Sequence, residues 1–324
     1  MDELGLIDDF LGPFGLRRNA RSRAAGVLAG PGDDCAVVRA SPRRKLVLKV
    51  DELVEGVHFD WRWFTPEDVG HKALAAALSD LAAACAVPRW FLCALGVHPG
   101  ADASGIARGI ARGMAALARR HRCVLVGGNV TRAAAWSISV SALGEAEHPR
   151  GRGGARPGDA IVVTGVLGRA ALGLRLLRGH AAAPASRAVA AAIRAQRRPE
   201  PLLAAGLAAG TLATAAVDVS DGFLRDLGHI CAASQCGAEV DVRTLPVDGA
   251  VRAATLELAL SGGEDYALVF AVRRRNVARL LSRLRQSGAR AAEVGRFVRG
   301  RGIRLSEHGR PRALPRRLGW DHLA

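Results

Sequence analysis

Six carboxylates and one carboxamide recur through this chain, each in a tight Gly/Ser/Asp turn beside an apolar run. They are Asp33 and Asp34 in GPGDD, Asp51 in KVDELVEGVHF, Asp80 in LSDLAAA, Asn129 in LVGGNVTR, and Asp218 and Asp221 in VDVSDGF. Gathered in one cleft, such groups repel one another unless cations neutralise them. Hard oxygen ligands of this kind select Mg²⁺. Mg²⁺ usually retains waters and bridges to phosphates, so the set points to phosphoryl chemistry on a nucleotide.

The motifs differ in how much they imply alone. GPGDD is, by itself, a turn, since Gly-Asp pairs mark turns widely. VDVSDG is sharper: a buried strand ends at Asp218, Ser220 suits a helix N-cap, and Asp221 opens the first turn. Asp221 could simply complement the helix dipole. Asp218 closes an apolar strand, where an uncompensated carboxylate is costly, so it needs a metal or a paired base. GGN at 127–129 reads equally as a strand-to-loop turn or as a backbone that lets a phosphate approach closely. In LSGGEDYAL, Gly262 and Gly263 set a turn that delivers Glu264 and Asp265 before a new strand. His58 in EGVHF is a lone histidine and needs support from elsewhere. The chain carries no GxxxxGK[ST] loop and no protein-kinase signature set, so any ATP is held by another architecture.

The elements that must position these residues follow from pattern. Arg44 to Val50 reads as a strand feeding Asp51. Thr65-Pro66-Glu67-Asp68 is a helix start, with Thr65 as N-cap, proline at the first helical position and acids in the first turn. That helix runs to about Cys85 and carries Asp80 on its later turns. A strand is expected at Arg89–Val97, a helix over Ala101–Arg120, a short strand at Val124–Val126 ending at Gly127-Gly128, and a half-exposed strand at Trp136–Leu143. The Gly/Pro/Arg-rich stretch HPRGRGGARPG at 148–158 is the expected boundary. Beyond it come strand Ala160–Thr164, a helix from Gly168, strand Ala213–Val217, and a helix from about Gly222. Strands near Ala238–Val242 and Tyr266–Val272 and a helix near Asn276–Gln286 complete the pattern. Each half should be an α/β or α+β layer structure, giving domains 1–148 and 149–324.

Composition narrows the class. With 324 residues and 49% hydrophobic content, the chain suits two globular domains. The start MDELGLIDDF lacks a signal peptide's basic and apolar regions, and the apolar stretch Ala73–Val97 is broken by Asp80, Pro88 and Arg89. The expectation is a soluble cytoplasmic protein with no membrane partner. A net charge of +16 invites a nucleic-acid reading. However, only Lys45, Lys49 and Lys72 are lysines, the arginines are scattered, and one Tyr and eight Phe make no stacking platform. No nucleic-acid partner is therefore expected. The six cysteines have no C-x-x-C spacing and read as buried, reduced thiols.

Taken in order, GPGDDCAVV, DELVEGVHF, HKALAAALSDLAA, LVGGNVTR, RGGARPGD with TGVLG, DVSDGFLRDLGHI, LSGGEDYALVF and GWDHL resemble the thiamine-monophosphate kinase family, of the aminoimidazole-ribonucleotide-synthetase-like superfamily. The resemblance spans nearly the full length. It implies a two-domain α/β (α+β) fold, an N-terminal metal- and ATP-binding domain whose strands form a dimeric β-barrel, and a C-terminal α/β domain closing the cleft. It implies ATP and Mg²⁺ as cofactors, thiamine monophosphate as substrate and a homodimer. Metal positions would fall on Asp34, Asp51, Asp80, Asn129, Asp218 and Asp221. ATP contacts would fall on Gly128, Asn129, Arg152 and Ser220, and substrate contacts on His58, Glu264 and Trp320. Asp51, Asp221 and Arg152 would act in catalysis. The implied reaction is direct transfer of the γ-phosphoryl group of ATP to the phosphate of thiamine monophosphate. That acceptor is already anionic near neutral pH, so no strong base is required. Two other readings are a diverged superfamily member acting on another small phosphorylated substrate, and a non-catalytic homologue that binds nucleotide or thiamine phosphate.

Departures from the family pattern concentrate near the metals. Where the family carries Ser/Thr-Thr/Ser-Asp, this chain has Lys49-Val50-Asp51. Its GGDTTRG reads Gly127-Gly128-Asn129-Val130-Thr131-Arg132-Ala133, and its PxPR reads Pro199-Glu200-Pro201-Leu202. Lys49 and Asn129 together shift the charge by about +2, that of one Mg²⁺. Lys49 is therefore expected to stand in for one metal.

Overall fold

The computed structural model describes residues 3–17, 26–29, 35–100, 102–179, 186–254 and 256–321. Asp33 and Asp34, with most of GPGDD, lie outside the described residues. The chain divides into two compact units: Met1–Leu81 with Val87–Glu147, and Ala82–Ala86 with His148–Ala324.

The first unit begins with α1 (Glu3–Leu11), followed by the short strands β1 (Val27–Ala29) and β2 (Val37–Val38), which pair antiparallel. Next come β3 (Lys45–Val54), α2 (Pro66–Ala83), β4 (Val87–Val97), α3 (Ala103–His121), β5 (Val124–Arg132) and β6 (Ser137–Ala146). Thr65 and Asp68 cap α2 reciprocally. Asp68 N–H donates to Thr65 Oγ1 at 3.2 Å, and Thr65 N–H donates to Asp68 Oδ2 at 3.1 Å, satisfying donors the helix cannot pair itself. Asp102 caps α3 by accepting from Gly105 N–H, and the helix ends on Arg119, Arg120 and His121, the polarity its dipole favours. The two helices cross almost backbone to backbone. A Cβ on Gly113 would lie 2.0 Å from the Glu67 carbonyl oxygen, and one on Gly70 1.9 Å from that of Ile110.

The sheet of this unit runs β3-β6-β4-β5, antiparallel except for the parallel β4–β5 pair. Among the described residues it is an open sheet whose edges are β3 and β5. On β3, Leu53 is buried, whereas Leu46, Leu48 and Val50 form an exposed row at period two. Two strands outrun their sequence expectation. β3 continues through Asp51 to Val54, so Asp51 sits within a strand fully paired with β6. β5 continues through Gly127 and Gly128 to Arg132, so GGN makes no turn. A Cβ on Gly128 would lie 1.9 Å from the Cys93 carbonyl oxygen, so glycine there permits close approach of a neighbouring strand.

The second unit contains β7 (Ala160–Thr164), α4 (Arg169–Leu177), α5 (Arg187–Arg197), α6 (Leu203–Ala209), β8 (Ala213–Val219), α7 (Phe223–Ala233) and β9 (Gly237–Asp241). It continues with α8 (Gly249–Ala254), α9 (Glu257–Ser261), β10 (Ala267–Val272), α10 (Val277–Gln286), β11 (Ala291–Val298), β12 (Ile303–Glu307) and β13 (Arg310–Arg312). Its mixed sheet has the order β13-β12-β9-β11-β7-β10-β8. β7 and β10 are buried along their whole length, as their near-continuous apolar sequences require. One core joins the sheet to α7: Val217, Val219 and Val269 pack with Phe223, Leu224 and Leu227. Both units mix strands and helices in layers, an α/β (α+β) architecture. No described helix is long and apolar enough to cross a membrane.

Candidate active site

In the first unit, strand alternation puts Lys49 and Asp51 on the same face of β3. Asp80 reaches them from the last turns of α2. The Lys49 ammonium lies 3.0 Å from Asp80 Oδ2 and 3.3 Å from Asp51 Oδ1, so one cation joins two carboxylates from separate elements. Burial and the neighbouring Asp80 push the Asp51 carboxyl well above its usual range, against the pull of Lys49. Burial works against the charge on Lys49, but Asp80 and Asp51 outweigh it and raise its pKa.

His58 sits in the turn that follows β3. Its Nδ1 accepts the Val54 N–H at 3.0 Å, which leaves Nε2 as the ring's N–H donor. The His58 carbonyl accepts from Lys72 Nζ at 3.0 Å, and Lys72, fully buried, also lies over the Phe64 ring. Gly128 and Asn129 are exposed on β5, at the opposite edge of the sheet from β3. Three strand spacings, roughly 14 Å, separate them from Asp51 along the sheet. The unit therefore brings Lys49, Asp51 and Asp80 together, while Asn129 lies three strands away along the sheet.

In the second unit, the VDVSDG segment leaves β8 and enters α7. Asp218 is buried in β8 opposite Leu268 of β10. The expected cap is differently built. α7 begins at Phe223 with Gly222 as its N-cap, and no side chain of that residue can cap it. Instead Asp226 Oδ2 accepts the N–H groups of Ser220, Asp221 and Gly222 at 3.1, 3.1 and 3.0 Å. Ser220 is thus a donor to the cap rather than the cap itself, because the carboxylate one turn on reaches three N–H groups at once. Burial, and then Asp221, push the Asp226 carboxyl to about 7 despite those donors. Burial, Arg152 and Arg225 lower the pKa of His229.

Two other segments dock on this loop. Glu264 N–H donates to the Ser220 carbonyl at 2.7 Å, and Trp320 N–H donates to the Asp221 carbonyl at 2.8 Å. Arg225 joins the same place: its guanidinium lies 3.6 Å from Asp221 and 3.7 Å from Asp321, and it hydrogen-bonds to the Trp320 carbonyl. The Trp320 ring remains half exposed. Arg152 lies close enough for its charge to act on both Asp226 and His229. Ser220, Asp221, Arg152, Glu264 and Trp320, drawn from distant parts of the sequence, thus share one region.

Glu264 and Asp265 part company. Glu264, at φ +66°, accepts from the amide of buried Gln196 at 2.6 Å. Asp265 points into the unit and caps α4 by accepting from Gly168 N–H at 2.5 Å and Ala170 N–H at 3.0 Å. Burial raises its pKa to about 7. Its role is to hold α4.

The donor chemistry fits Mg²⁺ in part. Asp221, Asp226 and His229 each offer a ligand atom within 4.8 Å of the others, and the carboxylate oxygens suit a hard cation. The imidazole suits softer metals, and Asp226 Oδ2 is already committed to three N–H groups. In the first unit, Asp51 and Asp80 supply oxygens, but Lys49 already draws on one oxygen of each.

Sequence reasoning missed Asp226 and Gln196. Asp226 carried a signal, an acid in the first turn of a helix whose preceding loop needs acceptors. Gln196 carried none, since its partner is far along the chain. Five cysteines are buried and Cys35 is exposed, all free. Burial pushes the Cys93 thiol to about 12, and no nucleophile is indicated there.

Residues 32–146 match AIR synthase related protein, N-terminal domain, and residues 156–307 match AIR synthase related protein, C-terminal domain. A thiamine-monophosphate kinase of Salmonella typhimurium is 36% identical over 311 residues, 94% of either chain. The crystal structure of thiamine-monophosphate kinase from Stenotrophomonas maltophilia superposes with a TM-score of 0.81 at 34% identity, covering 94% of this chain and 97% of that one. A structure of AaThiL complexed with AMPPCP and TMP gives 0.75 at 29% identity, covering 99% and 96%. The chain belongs to the AIR synthase related protein family, among its thiamine-monophosphate kinase relatives.

Proposed function

We propose that this chain phosphorylates thiamine monophosphate to the diphosphate, using ATP and Mg²⁺. The observation that carries the reading is the docking of Glu264 and Trp320 on the Ser220–Asp221 loop. It brings together Ser220, Asp221, Glu264 and Trp320, to which the resemblance assigns nucleotide, metal and substrate contacts, in a chain whose relatives bear that activity in their names.

The roles follow from chemistry. Trp320 offers an exposed aromatic face to a heteroaromatic ring, and Glu264 offers negative charge to the cationic thiazolium. His58 would donate from Nε2 to the substrate. Arg152, with Gly128 and Asn129, would bind ATP phosphates, the guanidinium as a multidentate donor and the glycine by open backbone. Asp51, Asp80, Asp218 and Asp221 are the oxygen ligands assigned to metal, with Asp34 and Asn129 added on the resemblance alone. Bound Mg²⁺ would neutralise charge between the two phosphates and align them. No general base is needed, because the acceptor phosphate is itself the nucleophile.

The residues 1–148 would form the metal- and ATP-binding domain and the dimer contact, and 149–324 the domain that completes the site. The exposed row Leu46, Leu48 and Val50, joined by Leu92, supports a homodimer in which β3 meets a second copy, the family's barrel. We place the protein in the cytoplasm. The test is a coupled ATP assay with thiamine monophosphate and titrated Mg²⁺, with the product identified. Thiamine diphosphate formation is expected; nucleotide binding without turnover on this substrate would overturn the reading.

A further inference from the structure

We propose that the Lys49 ammonium is a built-in replacement for one divalent cation at the Asp51–Asp80 pair, so this chain binds one Mg²⁺ fewer than a chain with a hydroxyl residue there. The inference deepens the proposed kinase reading and rests on it for the identity of the metal.

Two carboxylates from different elements converge here, and a cation between them relieves the repulsion of like charges. Lys49 supplies it, at 3.0 Å from Asp80 and 3.3 Å from Asp51, hydrogen-bonding distances for an ammonium. An ammonium is a compact point charge, the side-chain group most like a bare cation, though with half the charge of Mg²⁺. Its position is fixed by the fold. Lys49 precedes Asp51 by two residues on a strand paired with β6 along its whole length, so alternation sets both on one face. That tether makes binding intramolecular, with an effective concentration that a millimolar ion in solution does not exceed. Lys49 draws on one oxygen of each carboxylate, so the ammonium already occupies part of the donor set that would hold a divalent cation. Asn129 lies on the opposite edge strand, so the two ion pairs that carry the proposal involve position 49 and not position 129.

The test counts bound Mn²⁺ by electron paramagnetic resonance, with and without the non-hydrolysable ATP analogue AMPPCP. Wild type is compared with Lys49→Met, which adds no ligand, and Lys49→Ser. One additional tightly bound Mn²⁺ per chain is expected in both variants. Equal counts in wild type and variants would sink the proposal. The count without nucleotide reads the carboxylate pair directly, so it decides the matter even if AMPPCP fails to bind, an outcome that counts against the kinase reading instead. Should the variants not fold, reductive methylation of wild type decides. Labelling of Lys49 at an unchanged rate when millimolar Mg²⁺ is added supports the replacement, and acceleration by Mg²⁺ shows the ions evicting the ammonium and overturns it.

Discussion

The main-chain N–H of Trp320 donates to the carbonyl of Asp221 at 2.8 Å, so the C-terminal segment is anchored to the loop that carries Ser220 and Asp221. The fit is close: a Cβ on Gly319 would lie 2.7 Å from the same Asp221 oxygen. The anchoring is through backbone, so the ring can be exchanged without unseating the segment. Trp320→Ala should raise KM for thiamine monophosphate about 10- to 100-fold, the loss of one aromatic stacking contact, on the order of 1–3 kcal/mol. KM for ATP should change little, and Trp320→Phe should recover most of the loss. Steady-state kinetics with each substrate varied in turn checks this. An equal rise in both KM values would mean that the ring is not a substrate contact.

Asp226 predicts a different failure. Its carboxylate holds three consecutive N–H groups around Asp221 through a single oxygen. Asp226→Ala should cost about 1–3 kcal/mol of stability, the loss of charged hydrogen bonds and a helix cap. Activity should fall more than stability alone explains, because the loop bearing Ser220 and Asp221 loses its frame. Urea unfolding and single-turnover rates measured below the unfolding range separate the two effects. Wild-type stability in the variant would show that the cap carries no energy.

How much of this was legible beforehand depends on the range of the interaction. The α2 start was readable because Thr65, Pro66 and Asp68 act within one turn. β3 and β5 were cut short because the expectation treated Asp51 and Gly127-Gly128 as punctuation. Strand pairing overrode both: β6 pairs β3 beyond Asp51, and β4 needs Gly128 for close approach. The resemblance named Ser220, Glu264 and Trp320, but only the fold shows two backbone hydrogen bonds tying them together. The bridge from Lys49 to Asp80 required knowing that α2 ends beside β3, which no local pattern contains.

The helix crossing of the first unit gives a paired prediction. Gly113 meets the Glu67 carbonyl, so Gly113→Ala forces the helices apart and should cost about 1–3 kcal/mol. Gly228, within α7, has nothing within 4 Å of a built Cβ. Gly228→Ala should therefore stabilise by about 0.5–1 kcal/mol through helix propensity. Urea denaturation of both variants checks the pair, with the midpoint shifting in opposite directions and the slope unchanged. Destabilisation by both would show that glycine is needed in α7 for a reason other than packing.

His121 closes α3, and burial, with the charges of Arg120 and His71, lowers its pKa to about 4 from an ordinary 6.5. The folded state therefore disfavours the proton that the unfolded chain takes up. The stability tied to neutral His121 is fully present above about pH 6.5 and is lost as pH falls toward 4. Partial exposure screens the charge, which brings the loss to about 1 kcal/mol rather than the full linkage value. His121→Gln keeps a polar side chain of similar reach but removes the titration. Its urea midpoint should fall less than that of wild type between pH 7 and pH 5. Identical pH dependence in the two proteins would assign the acid loss to other groups, such as carboxylates whose own protonation weakens the fold.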